Sequence, residues 1–357
     1  MSDEALAPEQ ADSLPGIPSP AENPLLFGHE TVEARLAESY RAGRLHHALL
    51  LAGPQGIGKA TLAFRLARHV LVHPEPADAP ADRLSMVEAG GALFRQIVAG
   101  GHPSVLHLTR SRHERTGAFR SAITVDEVRR IARFTGLTAH DGSWRVAIID
   151  PADDMNANAA NALLKTLEEP PRRTLFILIA HNPGGLLPTI RSRCELVRLQ
   201  PLADAPLGAA LSQVAGLDRI DHTLFRVAGG SVREAILMAR HGGAGIAETI
   251  ETLLDAPRFD FQRAAALAEE VAARGSDVAF DLFNRLFLQA LAGRARIAAE
   301  AGGAREGARL AGLWQEFAGR MRESGIYNLD RRQHVIGRLR EAHAAIRSPA
   351  AGLAMSG

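Results

Sequence analysis

A single cysteine in 357 residues, Cys194, leaves no partner for an internal disulfide and no thiolate set for a cysteine-cluster zinc site. No apolar run reaches the length of a membrane-spanning helix. The formal net charge is only +1, so no bulk basic surplus argues for a polyanionic partner, although a local basic face stays compatible with one. The first 23 residues contain neither Lys nor Arg; they are rich in Pro, Ala and acids and lack the apolar stretch of a signal peptide. They read as a disordered tail, and the chain as a cytoplasmic protein. What is present is an ordinary globular balance, 46% hydrophobic and 23% charged, over a length that calls for two or three domains.

Short apolar runs alternate with helical periodicity over the first 200 residues. Strands are expected at His47–Ala52, Ser104–Thr109, Arg145–Ile149, Thr174–Ala180 and Glu195–Leu199. Helices are expected at Glu30–Ala42, Lys59–Val72, Val125–Thr135 and Asn156–Glu168, with a shorter piece before Ser192. Such alternation implies a parallel sheet covered on both faces. His73–Asp82, rich in Pro, Ala and Asp, reads as a surface insertion. After Pro201 the pattern turns helical throughout, punctuated by Gly229-Gly230 and Gly242-Gly243. The expected organisation is a tail at 1–23, an α/β nucleotide-binding-like domain at 24–200, a small helical domain at 201–243, a helical bundle at 247–346 and a tail at 347–357.

The segment Gly53-Pro54-Gln55-Gly56-Ile57-Gly58-Lys59 lies between a strand and a helix, which is the context a phosphate loop requires. Its glycines let backbone N–H groups approach phosphate oxygens, the helix N-terminus adds positive potential, and Lys59 would reach the outer phosphates. The next position ordinarily supplies the hydroxyl that ligates magnesium, and here it is Ala60. Thr61 follows, turned about 100° around the helix. Val146-Ala147-Ile148-Ile149-Asp150 is an apolar strand ending in a carboxylate suited to hold magnesium through water. Asp153 and Asp154 lie a little beyond it. The nucleotide set is thus Gly53, Gly56, Gly58, Lys59, Thr61, Asp150 and, as a lid residue, Arg233; ATP and Mg²⁺ are its expected ligands at a degenerate site, with no other metal and no zinc.

The chain resembles the bacterial clamp-loader AAA+ family. The resemblance rests on Phe27-Gly28-His29-Glu30, the Gly53–Lys59 loop, Ile123-Thr124-Val125-Asp126-Glu127-Val128-Arg129, the run Asn161-Ala162-Leu163-Leu164-Lys165-Thr166-Leu167-Glu168-Glu169-Pro170, Ser192-Arg193-Cys194, and Gly230-Ser231-Val232-Arg233-Glu234-Ala235. It implies an AAA+ P-loop module with a parallel sheet, a helical lid, and an all-α collar through which five subunits join into a ring. Such a ring uses ATP to open a sliding clamp and place it on primer-template DNA. The implied partners are motor subunits of the gamma/tau type, a clamp-opening delta subunit, the clamp indirectly, and DNA through the assembled ring, with no membrane. Arg193 matches an arginine finger supplied in trans to a neighbour's ATP site, and Arg233 matches the arginine that touches the subunit's own nucleotide. Family motors keep Ser or Thr after the loop lysine and Glu after the strand aspartate; Ala60 and Pro151 depart from both. The departures favour a stator that is not catalytic alone. A catalytically active motor and a recombination or repair AAA+ ATPase stand as alternatives.

Other candidates are plainer. Cys194 reads as a packed small residue. His46, His47, His102 and His181 lack metal-ligand spacing. Arg110, Arg112, Arg115 and Arg120 cluster between a strand and a helix, as a solvated loop or as a DNA-facing one.

Overall fold

The structure is a computed structural model, and it describes residues 10–136, 143–218, 222–324 and 330–347. Five parallel strands, β1 (Ala48–Ala52), β2 (Val105–Leu108), β3 (Arg145–Ile149), β4 (Thr174–Ala180) and β5 (Glu195–Arg198), form one sheet in the order β2-β3-β4-β1-β5. Around it run α1 (Glu30–Arg41), α2 (Lys59–Val72), α3 (Ala92–Val98), α4 (Val125–Gly136), α5 (Ala157–Glu168), α6 (Pro188–Arg191) and α7 (Asp204–Ala215). Both sheet faces are covered, and strand alternation decides which residue faces which layer. Leu49 and Leu51 of β1 join a core with Leu36 and Tyr40 of α1 and Leu62 and Leu66 of α2. Ala48 and Leu50 face the opposite core, with Val128 and Ile131 of α4 and Leu163 and Leu167 of α5. β1 and β4 are buried at every position, and apolar throughout except for Thr174, because they are central and covered on both sides.

Contacts divide the chain into two units, residues 1–220 with 229–233, and residues 221–228 with 234–357. The second is helical: α8 (His222–Ala228), most of α9 (Val232–Arg240), α10 (Gly243–Asp255), α11 (Phe261–Val271), α12 (Asp277–Glu300), α13 (Ala304–Ser324) and α14 (Arg331–Arg347). Its core centres on Phe283 and Phe287 of α12, the latter edge-on to Phe317 of α13 with centroids 5.2 Å apart.

Several expectations change. The segment 201–243 does not separate as a unit of its own: α7 and residues 229–233 go with the sheet, α8 and the rest of α9 with the helices. The expected start of the bundle at 247 falls inside α10, because Gly242 at φ 66° supplies the break. Residues 1–9 and 348–357 of the two expected tails lie outside the described residues. From residue 10 the disordered-tail expectation fails, since Ala21 is buried in the sheet's core and its carbonyl accepts a hydrogen bond from the Arg68 guanidinium. His73–Asp82 is only partly a surface insertion: Ala79 is fully buried, and its carbonyl accepts from Arg41.

Candidate functional site

The phosphate loop leaves the carboxyl end of β1 and enters α2 at Lys59. Gly53, Gly56 and Gly58 all take positive φ, at 156°, 76° and 103°. Two of them have no room for a side chain: a Cβ at Gly53 would meet the Leu199 carbonyl oxygen at 2.6 Å, and one at Gly56 would meet Ser231 Oγ and Arg233 Cβ at 2.4 Å. The loop is pinned from outside. His29 Nε2 donates to the Ile57 carbonyl at 2.7 Å, Ser231 Oγ to that of Gln55 at 2.9 Å, and the Val232 N–H to that of Gly56 at 2.9 Å. The first N–H groups of α2 face the loop without intrahelical acceptors, which is the anion-binding end of a helix.

Lys59 is buried and its ammonium is turned back onto the loop, donating to the Gly53 and Pro54 carbonyls at 2.7 and 2.5 Å. Burial pushes it down to about 8, against the upward pull of Asp150, Asp153 and Asp12. Ala60 packs at the edge of the core, and Thr61, one position on, is buried in the first turn of α2.

Asp150 follows β3, and the register Ile149↔Leu178 and Ala52↔Ala180 puts it at the same carboxyl edge of the sheet as the loop. That is where α/β sheets place ligands. Pro151, joined to it by a cis peptide bond, carries no group that can polarise water. The nearby carboxylates do not replace it. Asp153 accepts the backbone N–H groups of His181 at 3.1 Å and Asn182 at 2.8 Å. Asp154 is paired with Arg110 at 3.0 Å, and burial raises its carboxyl above the ordinary range despite that cation. His181, at the end of β4, is held below the ordinary imidazole range by burial and by Lys59. Groups suited to holding phosphate gather at this edge, while Pro151 offers no carboxylate and Asp153 and Asp154 are engaged by backbone N–H groups and by Arg110.

Arg233 lies in the first turn of α9 beside the loop, and its guanidinium donates to the backbone carbonyl of Asp12. Arg193 lies at the other edge of the sheet. It sits between α6 and β5, and β5 starts at Glu195, level with Leu49 near the beginning of β1. The loop starts after Ala52, level with Arg198. Three residues of strand, about 10 Å of sheet, separate the two levels. Arg193 is thus directed away from Lys59 in its own chain by topology. Its guanidinium pairs with Glu168 Oε1 at 2.5 Å and donates to the Thr189 carbonyl at 2.9 Å, and a third of its side chain stays exposed. Glu168 ends α5, the helix formed by the Asn161–Pro170 run, whose start is capped by Asn156 accepting from the Ala159 N–H. The run and the Ser-Arg-Cys triplet, separate in sequence, form one site. Cys194 packs against the core, and burial pushes its thiol up to about 12.

The basic cluster is an antiparallel turn, with Arg112 bridged to Phe119 and its guanidinium 4.1 Å above that ring. Glu127 at the start of α4 ties its base through the Ser111 N–H. Sequence reasoning missed His29, Glu168 and the segment around Asp12; the first two lie inside quoted motifs, while Asp12 carries no local signal. It also passed over an economy of lysine: of 41 Lys and Arg residues only Lys59 and Lys165 are lysines, and both stand in motifs.

A five-stranded parallel sheet with a phosphate loop after β1, an aspartate after β3 and an outward arginine before β5 defines an AAA+ ATPase-like module, here with an incomplete hydrolytic half. Residues 28–203 match the family model described as DNA polymerase III, delta subunit. That match covers just under half of the chain, and over it the module is similar to the DNA polymerase III clamp-loader family. Among its relatives, the delta-prime subunit of Pseudomonas aeruginosa is 44% identical over 42% of this chain and 41% of its own length. That of Escherichia coli K12 is 37% identical over 47% and 46%. A gamma/tau subunit of Mycobacterium bovis is 30% identical over 64% of this chain and 38% of its own. The chain thus spans under half the length of these relatives. A gamma-subunit-related protein of Thermotoga maritima is similar in structure at 18% identity, covering 89% of this chain and 99% of its own, with a TM-score of 0.36, too low to carry any argument.

Proposed function

We propose that this chain is a delta-prime-like subunit of a DNA polymerase III clamp loader. Its work is to act as stator in the ring, to present Arg193 to the ATP site of a neighbouring gamma/tau-type motor, and so to help load the sliding clamp on primed DNA. One observation carries the reading: the phosphate loop and Arg193 lie at opposite edges of one sheet, so an arginine suited to phosphoryl transfer lies away from the loop of its own chain. The second support is the defective edge itself, with Ala60 in place of a magnesium hydroxyl and Pro151 in place of a water-polarising acid. Arginine suits the role because its planar, permanently charged fork matches a transferring phosphoryl group. A delta-type clamp opener and, through the assembled ring, primer-template DNA complete the partners in this reading. Residues 247–346 serve as collar, ATP with Mg²⁺ is held without turnover if held at all, and the compartment is the cytoplasm. The similarity to gamma/tau subunits keeps the motor reading as the comparison to beat, and the same two departures count against it. The test is to mix the purified chain with motor and clamp-opening subunits and determine the composition of the complex by native mass measurement. A stable complex containing this chain together with both is expected; a chain that stays alone, or that turns over ATP by itself, overturns the reading.

A further inference from the structure

The phosphate-loop edge is not bare. Residues 10–13 form a turn, closed by the Ser13 N–H donating to the Gln10 carbonyl at 3.1 Å and by the Gln10 N–H donating to Ser13 Oγ at 2.9 Å. The turn is anchored on both sides of the loop. The Asp12 carbonyl accepts from the Arg233 guanidinium, and the Asp12 carboxylate lies 3.5 Å from the Gln55 side-chain amide on the loop itself. On the far side the buried Gln10 amide nitrogen lies 3.5 Å from His107 Nδ1 of β2, whose other ring nitrogen faces Asp150 at 3.8 Å. The Asp12 charge is felt by Lys59, His181 and Asp154, three of the ionisable groups that flank the site. A peptide carbonyl here meets the Arg233 guanidinium, and a carboxylate lies beside the Gln55 side-chain amide and within electrostatic reach of Lys59, cationic and polar groups that a triphosphate would also meet.

We propose that the turn at residues 10–13 is a built-in occupant of the phosphate-loop pocket, so that the pocket takes an acidic peptide of its own chain in competition with nucleotide phosphate. This rests on reading the loop as a phosphate site but not on the ring assembly. Three features of the structure converge on it. The turn engages Arg233 and Gln55, which belong to different elements and are brought together only at the pocket mouth. Lys59 points its ammonium at its own loop carbonyls rather than outward, as suits a pocket whose mouth is already filled. The turn comes from the stretch of the chain that lacks Lys and Arg, so its single carboxylate faces the cations without a compensating charge beside it. Intramolecular tethering makes even weak contacts effective, because the local concentration of the segment is that of a short linker.

The arithmetic sets the test. A ligand that binds only the open pocket has its affinity reduced by the open fraction, so a turn seated nine times in ten weakens nucleotide binding about tenfold. The full-length chain, its Asp12→Ala variant and its Gln10→Ala/Asp12→Ala double variant are titrated with fluorescent mant-ATP and Mg²⁺ and followed by anisotropy. The double variant is expected to bind about tenfold more tightly than the native chain and the single variant to move in the same direction. Adding Lys59→Ala to the double variant is expected to remove the gain. On the native chain, millimolar ATP is expected to speed backbone hydrogen exchange at residues 11–14, a readout that needs no substitution. Equal affinities with unchanged exchange, or a gain that survives Lys59→Ala, overturn the proposal. So does a failure of every form to bind nucleotide, which would leave no phosphate pocket to occupy; the stator reading would survive that result, since it is tested at the neighbour's site.

Discussion

Replacing Arg193 by alanine separates two roles that differ by several kcal/mol. In the isolated chain the residue makes one ion pair, to Glu168, with the two side chains 33% and 48% exposed, and one hydrogen bond to the Thr189 carbonyl. An exposed pair of this kind contributes about 0.2–1 kcal/mol. Arg193→Ala should therefore lower the stability of the chain by less than ~1 kcal/mol and leave assembly intact. A finger that meets a transferring phosphoryl group is a different matter: its loss costs about 10³–10⁵-fold in rate, or roughly 4–7 kcal/mol of transition-state stabilisation. The variant is expected to fold and assemble normally while the reconstituted loader loses DNA-stimulated ATP turnover and clamp loading. Other sites in a ring keep their own fingers, so steady-state turnover falls less than the single site does; a single-turnover assay shows the loss more fully. Arg193→Lys should be nearly as poor, since a point-like ammonium cannot reproduce the planar fork. Glu168→Gln removes the tether but keeps the guanidinium, and the rate should fall by less than tenfold. Complexes of equal composition in which both Arg193 variants turn over ATP and load clamps at the native rate would reduce the residue to a surface ion pair.

Three further outcomes follow from the geometry. The isolated chain should hydrolyse ATP far more slowly than about 1 per second, and Lys59→Ala should not change that background; ordinary turnover that vanishes in Lys59→Ala would show that Ala60 and Pro151 are compensated. Phe287→Ala should destabilise the helical unit by about 3–5 kcal/mol in denaturant unfolding, because the ring is fully buried and meets both Phe283 and Phe317; a loss under ~1 kcal/mol would mean that this core is not packed as described. Acid should weaken the sheet unit through His69, which burial holds down to about 4 and whose Nδ1 accepts the Ser85 N–H at 3.0 Å. The folded value lies below the ordinary imidazole value, so the contribution is whole above about pH 6.5 and is lost as pH falls from there toward 4, to a limit of about 3 kcal/mol. In His69→Gln the stability slope over that window should flatten, and an unchanged slope would assign it to other groups.

Periodicity and composition determined a good deal of this protein. All five strands agree with the sequence reading to within a residue at each end, and β3 and β4 coincide with it, because runs such as Thr174–Ala180 can be buried on both faces only inside a parallel sheet. Helix α2 begins at Lys59 as read, since a glycine-rich turn and an amphipathic run leave few other starts. The defects at Ala60 and Pro151 needed no coordinates, because a missing hydroxyl and a missing carboxylate are facts of composition. Tertiary structure alone decided the rest. Strand order cannot be read from the composition of short parallel strands, and it is the β1–β5 register that puts Arg193 at the edge opposite Lys59. Glu168 and Arg193 are 25 positions apart and meet only because α5 and α6 pack side by side. The helix α3 spans only seven residues, too short for a periodic signal, and its buried face exists only against the sheet's core. Asp12 sits in a stretch whose composition signals disorder. Its place at the phosphate loop is set by Arg233 and Gln55, more than 40 residues away in sequence, and local patterning cannot encode so distant a partner.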